Sequence, residues 1–591
     1  MATHIKKPQF LIWAVIIFLM NPISSQSDEP QADSCSKSDS DALLAFKAAI
    51  FKDTTGFLVT WNATASHCCS GGWEGVSCNP AGRVLGLSLQ PPSPSGYMDG
   101  TLSPSLGKLL FLETLSITGM KRISGNIPDS FASLTSLTSL ILDDNALFGS
   151  IPPSLANLKR LEVLSLPGNR LTGRIPGSLG SLSNLKGLSL GKNLLIGPIP
   201  TALKGITGLT SLDLGFNLLS GPIPGFLGQF RNLTYLVLSR NRLSGPIPDA
   251  LFGLTQVSEV SMDQNQLTGQ IPAQIGNLKS VSVLSLSCNK LTGQVPGSIS
   301  HLRNLWNLNL SRNSLTGPLP DKELSAGLPS LLSIDLSYNN LGLRAVPDWI
   351  KNRPLSDVRL AGLKLGGPLP IFTKPESLST IDLSDNRFTT GLSGFFERMR
   401  VLDTANISNN LLYGDLSMIR LPGQVSIIDL SSNRLFGSLS SLLSNKTNKF
   451  LEVIDVTKNN ISGHIPDFRD GLILKVLNIG SNKIAGQIPV TVSKLYKLER
   501  FDISRNRITG SIPTGLGTLP NLHWLDLSMN GLTGRIPNPW PRNRTLTHVS
   551  FRNNGLCGPI PQSRPFNIFP RAAYAHNLCL CGKPLETLCR V

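Results

Sequence analysis

Apolar residues recur along this chain in short blocks whose spacing fits neither a long helix nor a long strand. The block Leu161-Glu-Val-Leu-Ser-Leu-Pro-Gly-Asn-Arg-Leu-Thr-Gly-Arg-Ile-Pro shows the logic. Strand side chains alternate between faces, so Leu161, Leu164 and Leu166 are predicted to point inward from a short strand and its lead-in, with the residues between them pointing out. Asn169 then turns inward at the strand end. A buried amide must satisfy its donors and acceptor, and the natural partners are backbone groups of neighbouring turns. The Gly and Pro that follow punctuate a turn to the other side.

The block repeats. An Ile-Pro pair or a close variant returns at Ile127, Ile151, Ile175, Ile199, Ile223, Ile247, Ile271, Val295 and Leu319, always in steps of 24 residues. The asparagine keeps that step at Asn145, Asn169, Asn193, Asn217, Asn241, Asn265, Asn289 and Asn313. It continues with small slips at Asn339, Asn386, Asn410, Asn433, Asn459, Asn482, Asn506, Asn530 and Asn554. Met120 and Leu363 stand in its place in two further units, which makes 19 units, 17 of them with Asn. One unit cannot bury its leucines alone; stacking buries them in a continuous core whose ends need caps. The expectation is a solenoid with a parallel sheet, its strands about 4.8 Å apart, and a ladder of stacked asparagines. Apart from the two substituted units, the longest step between asparagines is 26 residues, so the array carries no large inserted island.

With 591 residues the chain exceeds what one ordinary core supports. Its 15% charged and 40% hydrophobic residues exclude global disorder. Residues 1–25 read as a signal peptide: His4, Lys6 and Lys7 precede the 11-residue apolar run Phe10 to Met20, and Ile23 and Ser25 suit a cleavage site. That run falls short of the ~20 residues a membrane span needs. The mature chain is expected to be secreted, with no span of its own. The formal charge is +17, which in an exported protein points to an acidic polysaccharide, an acidic protein or a membrane surface rather than to nucleic acid.

The repeated form LxxLxLxxNxLxGxIP resembles the plant-specific leucine-rich-repeat class over roughly residues 35–591. That class includes polygalacturonase inhibitors, DNA-damage-repair/toleration-type proteins and the ectodomains of receptor-like kinases and receptor-like proteins. The resemblance implies an α/β solenoid: a right-handed leucine-rich-repeat superhelix with a parallel concave β-sheet and disulfide-stapled caps. The implied division is a signal peptide at 1–25, an N-terminal cysteine cap with the first strand at 26–102, about 19 repeats over 103–556, and a C-terminal cysteine cap at 557–591.

Nine cysteines fall as four near the start, four near the end and Cys288 between. Four cysteines alone allow three pairings. The resemblance implies Cys35–Cys68 and Cys69–Cys78 in front, and Cys557–Cys579 and Cys581–Cys589 behind. A metal site is the competing reading, but no His at ligand spacing accompanies Cys581, and no metal or cofactor is expected. Cys288 reads as an unpaired thiol, or as half of a mixed disulfide with a partner. The chain stops two residues after Cys589. No juxtamembrane segment or kinase follows, so any signalling is expected to need a membrane partner.

Seven sequons are candidate glycosylation sites: Asn62, Asn232, Asn309, Asn406, Asn445, Asn460 and Asn543, of which Asn309 and Asn406 occupy outward strand positions. Outward positions elsewhere read Ser116, Ile141, Ser165, Ser189, Asp213, Val237, Ser261 and Ser285, then Asp335, Asp382, Asp429, Asp455, Asp502 and Asp526. The aspartates are either a solubilising habit of the class or an acidic stripe for a basic partner. Phe216, Tyr235, Arg240, Trp306, Arg312 and Tyr338 fall at predicted concave positions. Tyr, Trp and Arg dominate binding hot spots, so these six are the candidate ligand-binding residues. His523, Trp524, Met529 and His548 form a smaller group. Arg170, Arg242, Lys290, Arg387, Arg434, Lys483 and Arg507 follow the asparagines as a basic row that suits a polyanion such as demethylated pectin.

No phosphate-binding loop, zinc-binding helix motif or nucleophile elbow is present, so no enzyme is expected. The expected function is a secreted recognition module of the apoplast or cell wall. It would bind a protein or peptide ligand on the concave face, in defence or development signalling, with a receptor-like kinase as membrane partner. The alternatives are an inhibitor of microbial wall hydrolases such as polygalacturonase, and a pectin-bound wall protein.

Overall fold

The computed structural model describes residues 35–62, 67–443, 449–538 and 546–589. The signal-peptide reading of 1–25 and the sequons Asn445 and Asn543 lie outside the described residues. The chain divides into two compact units, Met1–Leu171 and Thr172–Val591.

The first unit opens with the helix Lys37–Ala48, which buries Ala42, Leu43 and Phe46. Phe46 meets Trp61, and Trp61 stacks on Trp73 with ring centroids 5.6 Å apart. Asp39 is fully buried, yet its carboxylate accepts Arg83 Nε at 3.0 Å, Arg83 Nη2 at 2.9 Å and the Val84 amide at 3.0 Å. A buried charge is tolerated on those terms, with a paired cation and filled lone pairs. The disulfides Cys35–Cys68 and Cys69–Cys78 close this cap as the resemblance implied. An antiparallel pair, Val76–Cys78 against Val84–Leu89, leads into the parallel strands Thr114–Ile117, Ser139–Ile141 and Val163–Ser165.

The second unit is a single run of parallel three-residue strands from Gly187–Ser189 to His548–Ser550. Each hydrogen-bonds the next in constant register, as in Ser211↔Tyr235↔Glu259. The middle residue of each points inward and is buried, as Leu212, Leu236 and Val260 are, while its neighbours face the open side of the sheet. The asparagine ladder follows. Asn241 is typical: Nδ2 donates to Leu214 O at 2.9 Å, Leu238 O at 3.1 Å and Ser239 O at 3.3 Å, while Oδ1 accepts the Leu219 amide at 2.9 Å. Met120 and Leu363 fill the same slot as buried apolar plugs. Asn577 adds a rung that the sequence pattern did not reveal, bonding Phe551 O, Tyr574 O and the Leu556 amide.

The Gly-Pro segments do more than turn. In several stretches they pair into a second ladder, such as Leu218–Pro222, Arg242–Pro246 and Gln266–Thr268. Short 3-10 helices then begin straight after a proline, as in Gly225–Gln229 after Pro224 and Asp249–Gly253 after Pro248. At the C-terminal end, Asn554–Pro559 pairs with Asn577–Cys581, and Phe551, Phe566 and Tyr574 cover the last leucines. Cys557–Cys579 and Cys581–Cys589 staple that cap. No helix among the described residues is long and apolar enough to cross a membrane.

Candidate functional site

Three kinds of side chain reach the open face of the second unit: those flanking the middle strand residue, those just before the strand, and the residue immediately before each asparagine. The last is a column of left-handed residues. Lys192, Phe216, Arg240, Gln264, Cys288, Arg312 and Tyr338 all have φ between 52 and 56°. This turn swings the following asparagine into the core, and a non-glycine residue held there costs roughly 1–2 kcal/mol, which the ladder bonds offset. The site residues Phe216, Arg240, Arg312 and Tyr338 therefore project from a fixed backbone geometry.

Their contacts divide the six candidates. Arg240 stacks over Phe216 at 4.7 Å from the ring centroid, and Phe216 keeps 43% of its surface exposed. Arg312 lies 4.2 Å over Tyr338. Tyr338 is held on its other side too. A Cβ on Gly362 would come within 2.5 Å of Tyr338 Cδ1, so the ring lies against the bare Gly362 backbone, and its hydroxyl donates to Asp385. Burial and the neighbouring Asp385 push this phenol up to about 12. The Arg312–Tyr338–Asp385 chain is thus an internal clasp. Tyr235 stands on the strand between Ser211 and Glu259. Trp306 precedes the strand Asn307–Asn309 and Arg312 follows it, so these two sit at opposite ends of one strand. The six residues share a face, but they do not form one patch; Phe216 and Arg240 are the close and available pair, while Tyr235 opens the strand that Arg240 follows.

The aspartate stripe has a local explanation. Asp335, Asp382, Asp429, Asp455, Asp502 and Asp526 each accept the amide two residues on, at 2.9–3.0 Å. Where that residue is Ser384, Thr457 or Ser528, its hydroxyl donates as well, at 2.6–2.7 Å. Asn309 and Asn406 use the same Asx-x-Ser device, accepting both the amide and the hydroxyl of Ser311 and Ser408. Burial raises Asp335 and Asp502, and burial with the adjacent Asp455 takes Asp429 to about 6.

Near the C-terminal end Trp524 stacks on His548 with centroids 3.7 Å apart, and Arg500 covers the other side of Trp524 at 4.3 Å. Arg500 went unnoticed in the sequence because the contact joins neighbouring strands. Burial lowers the His548 imidazole. His523 precedes the same strand as Trp524, and Met529 takes the left-handed position after it. The basic row from Arg242 to Arg507 is exposed along the edge beyond the asparagines, and none of its members forms an ion pair among the described residues. Cys288 is a half-buried free thiol, raised by burial. Of the described sequons, Asn62, Asn232 and Asn460 are exposed, and Asn309 and Asn406 are half-buried.

Comparison with known proteins agrees with this architecture. The leucine rich repeat N-terminal domain matches residues 36–79. Leucine rich repeats match 136–158, 159–219, 207–267, 270–315, 377–399 and 473–532. The DNA damage-repair/toleration protein DRT100 of Arabidopsis thaliana is 37% identical over 123 residues, covering 19% of this chain and 32% of that protein. Leucine-rich repeat protein FLOR 1 of the same plant is 36% identical over 118 residues, covering 20% and 34%. The chain spans about a third of the length of these relatives. Among solved structures, the plant peptide hormone receptor RGFR1 in complex with RGF2 is 30% identical with TM-score 0.63, over 82% of this chain and 81% of that one. The Arabidopsis receptor kinase HAESA in complex with the peptide hormone IDA and the co-receptor SERK1 is 29% identical with TM-score 0.62, over 94% and 100%.

Proposed function

Since the chain is a plant extracellular leucine-rich-repeat protein with a leucine-rich-repeat N-terminal domain, we propose that it is a non-catalytic recognition module of the apoplast. It binds a peptide or protein ligand on the open face of its sheet, and it signals in defence or development through a receptor-like kinase. The observation that carries this reading is the exposed Phe216 ring with Arg240 stacked on it, on backbone fixed by the asparagine ladder. Aromatic and Arg anchors on rigid supports are what binding hot spots are made of. The ligands named in the solved relatives, RGF2 and IDA, support the choice of a peptide.

The test is capture from apoplastic fluid and plasma-membrane extract by the purified chain and by Phe216→Ala/Arg240→Ala. A peptide or kinase ectodomain held by the first and lost by the second supports the reading. Identical capture by both removes the face from consideration. A second reading rests on the unpaired basic row: retention on demethylated pectin, released by salt and lost on neutralising Arg387, Arg434 and Lys483, would make the chain a wall-bound protein. Inhibition of a fungal polygalacturonase would instead favour a hydrolase inhibitor.

A further inference from the structure

The third residue after each ladder asparagine faces away from the core, since the residue before it is buried. In most units it is small and hydroxylic, as in Ser220, Ser244, Thr268, Thr292, Thr389 and Thr509. Two consecutive units break that habit with Tyr413 and Phe436. Their rings touch, with centroids 5.0 Å apart and planes tilted at 44°. Tyr413 keeps 65% of its surface exposed and Leu411, on the same segment, 38%. Phe436 is half-buried. A contiguous apolar patch of this kind marks a surface that something covers.

The next unit supplies the cover. It carries the sequon Asn460-Ile-Ser, and backbone bonds fix its place. The Arg434 amide donates to Leu412 O at 2.9 Å and the Asn460 amide to Leu435 O at 2.7 Å. Arg434 therefore lies across from Tyr413, and Asn460 across from Phe436. Leu412, Leu435 and Ile461 point into the core, so Tyr413, Arg434, Phe436 and Asn460 all point out on one side. Adjacent segments run about 4.8 Å apart, which puts Asn460 and the Phe436 ring within reach of a single sugar. The Asn460 side chain is exposed. Its Ser462 amide goes to Gly437 O at 2.9 Å, whereas Asn309 and Asn406 hold the amides of their own sequon serines. The exposed Asn232 differs again: Gly208 and Gln256 stand at the matching places 24 residues to either side, and neither is aromatic.

We propose that Tyr413 and Phe436 are the bed for the chain's own N-linked glycan at Asn460, whose first N-acetylglucosamine lies with its apolar C–H face on the two rings. This rests on the reading of the chain as an exported, apoplastic protein. In the modification, Asn460 Nδ2 bonds to the anomeric carbon of a lipid-linked oligosaccharide and gives up one proton, and the lipid diphosphate leaves. A pyranose turns its C–H groups to a ring face and keeps its hydroxyls in water, so it covers aromatic carbon without burying a polar group. Arg434, exposed across from Tyr413, offers donors to the sugar's oxygens. The glycan thereby ties together three successive units of the ladder.

The experiment compares the full chain secreted from plant cells, the same chain trimmed by an endoglycosidase to one sugar per site, and Asn460→Gln. Peptide mapping gives occupancy, and hydroxyl-radical footprinting reports the rings, with Tyr496, 48% exposed, as reference. Tyr413 and Phe436 are expected to oxidise roughly fivefold more slowly in the occupied chain than in Asn460→Gln, the ratio that ring stacking supplies, and trimming should leave that protection in place. Hydrogen exchange closes the cycle. The Asn460 and Ser462 amides should exchange about fivefold more slowly with the glycan than without it, and this difference should vanish in Tyr413→Ser/Phe436→Ser, which adopts the residue type of the other units. Equal oxidation with and without the glycan, protection lost on trimming, a glycan effect that survives removal of the rings, or a bare Asn460 in a chain glycosylated at Asn232 overturns the proposal. A chain bare at every sequon overturns the export reading with it.

Discussion

Asn386 is the rung next to the unit in which Leu363 replaces an asparagine, and it bears a double load. Its Oδ1 accepts two amides, Leu363 at 3.1 Å and Leu365 at 3.0 Å, while Nδ2 donates to Leu360 O, Leu383 O and Ser384 O at 2.8–3.0 Å. Asn433 is an ordinary rung: Oδ1 accepts only Leu412, and Nδ2 donates to Ile407 O, Leu430 O and Ser431 O. Both are buried. Asn→Ala at either site frees three carbonyls and opens a similar cavity, so those losses cancel in the comparison. What differs is one buried amide left without an acceptor, at about 1–3 kcal/mol. Asn386→Ala should therefore cost about 2 kcal/mol more than Asn433→Ala, roughly thirtyfold in a local opening equilibrium. A repeat array opens in segments, so native-state hydrogen exchange reads this better than a single melting curve. The reporters are the strand amides on either side: Leu360 and Leu383 for the first variant, Ile407 and Leu430 for the second. Equal acceleration in the two variants would refute the counting of ladder bonds.

Three further outcomes follow from the open face. Asp213 and Asp429 both stand near 6, well above the ordinary carboxylate value of 3.8. The folded chain thus binds their protons more tightly than the unfolded one. Their stabilising contribution is complete below about 4 and is lost as pH rises through about 6. Thermal midpoints should rise from pH 7 to pH 5, and Asp213→Asn/Asp429→Asn should flatten that slope. Gly362→Ala places a Cβ within 2.5 Å of the Tyr338 ring at a φ of 65°, so it should break the clasp and bring the Tyr338 phenol down from about 12 in a spectrophotometric titration. Peptide mapping by mass spectrometry should find glycans on the exposed Asn232 and Asn460 and none on Asn309 and Asn406, whose amide oxygens are engaged by their own sequon serines.

The repeat was legible because its signals are local and periodic. Leucine spacing gives strand and core, and an asparagine that must be buried announces its ladder. Three features escaped for one reason, that they depend on which neighbours lie across the stack. The Arg312–Tyr338–Asp385 clasp needs Gly362 between its ends, and the sequence shows only a missing asparagine there. The Arg500–Trp524–His548 stack joins successive strands. Asn577 lies past the last regular unit, where no leucine pattern leads to it. Two others were visible but unread. The Asp-x-Ser spelling of the acidic stripe states its own hydrogen bonds, and the departure at Asp213-Leu-Gly215 marks an aspartate that keeps the amide bond without a hydroxyl two residues on. The separation of Trp306 from Arg312 is a matter of strand arithmetic: six residues apart, they cannot share one end.

The left-handed column has a consequence for how such a molecule changes over generations. Its backbone setting is the same whether the residue is Phe216, Arg240, Cys288, Asp385 or Asn409, and the branched Val, Ile and Thr are missing from it, as steric crowding at positive φ demands. The scaffold thus permits a wide alphabet at each station while holding the stations fixed. Substitution rewrites one letter. Duplication or loss of a whole 24-residue unit slides every letter downstream by one place, changing which letters are adjacent without disturbing the fold. Descendants of this chain can acquire new partners by rearranging an old text as readily as by composing a new one.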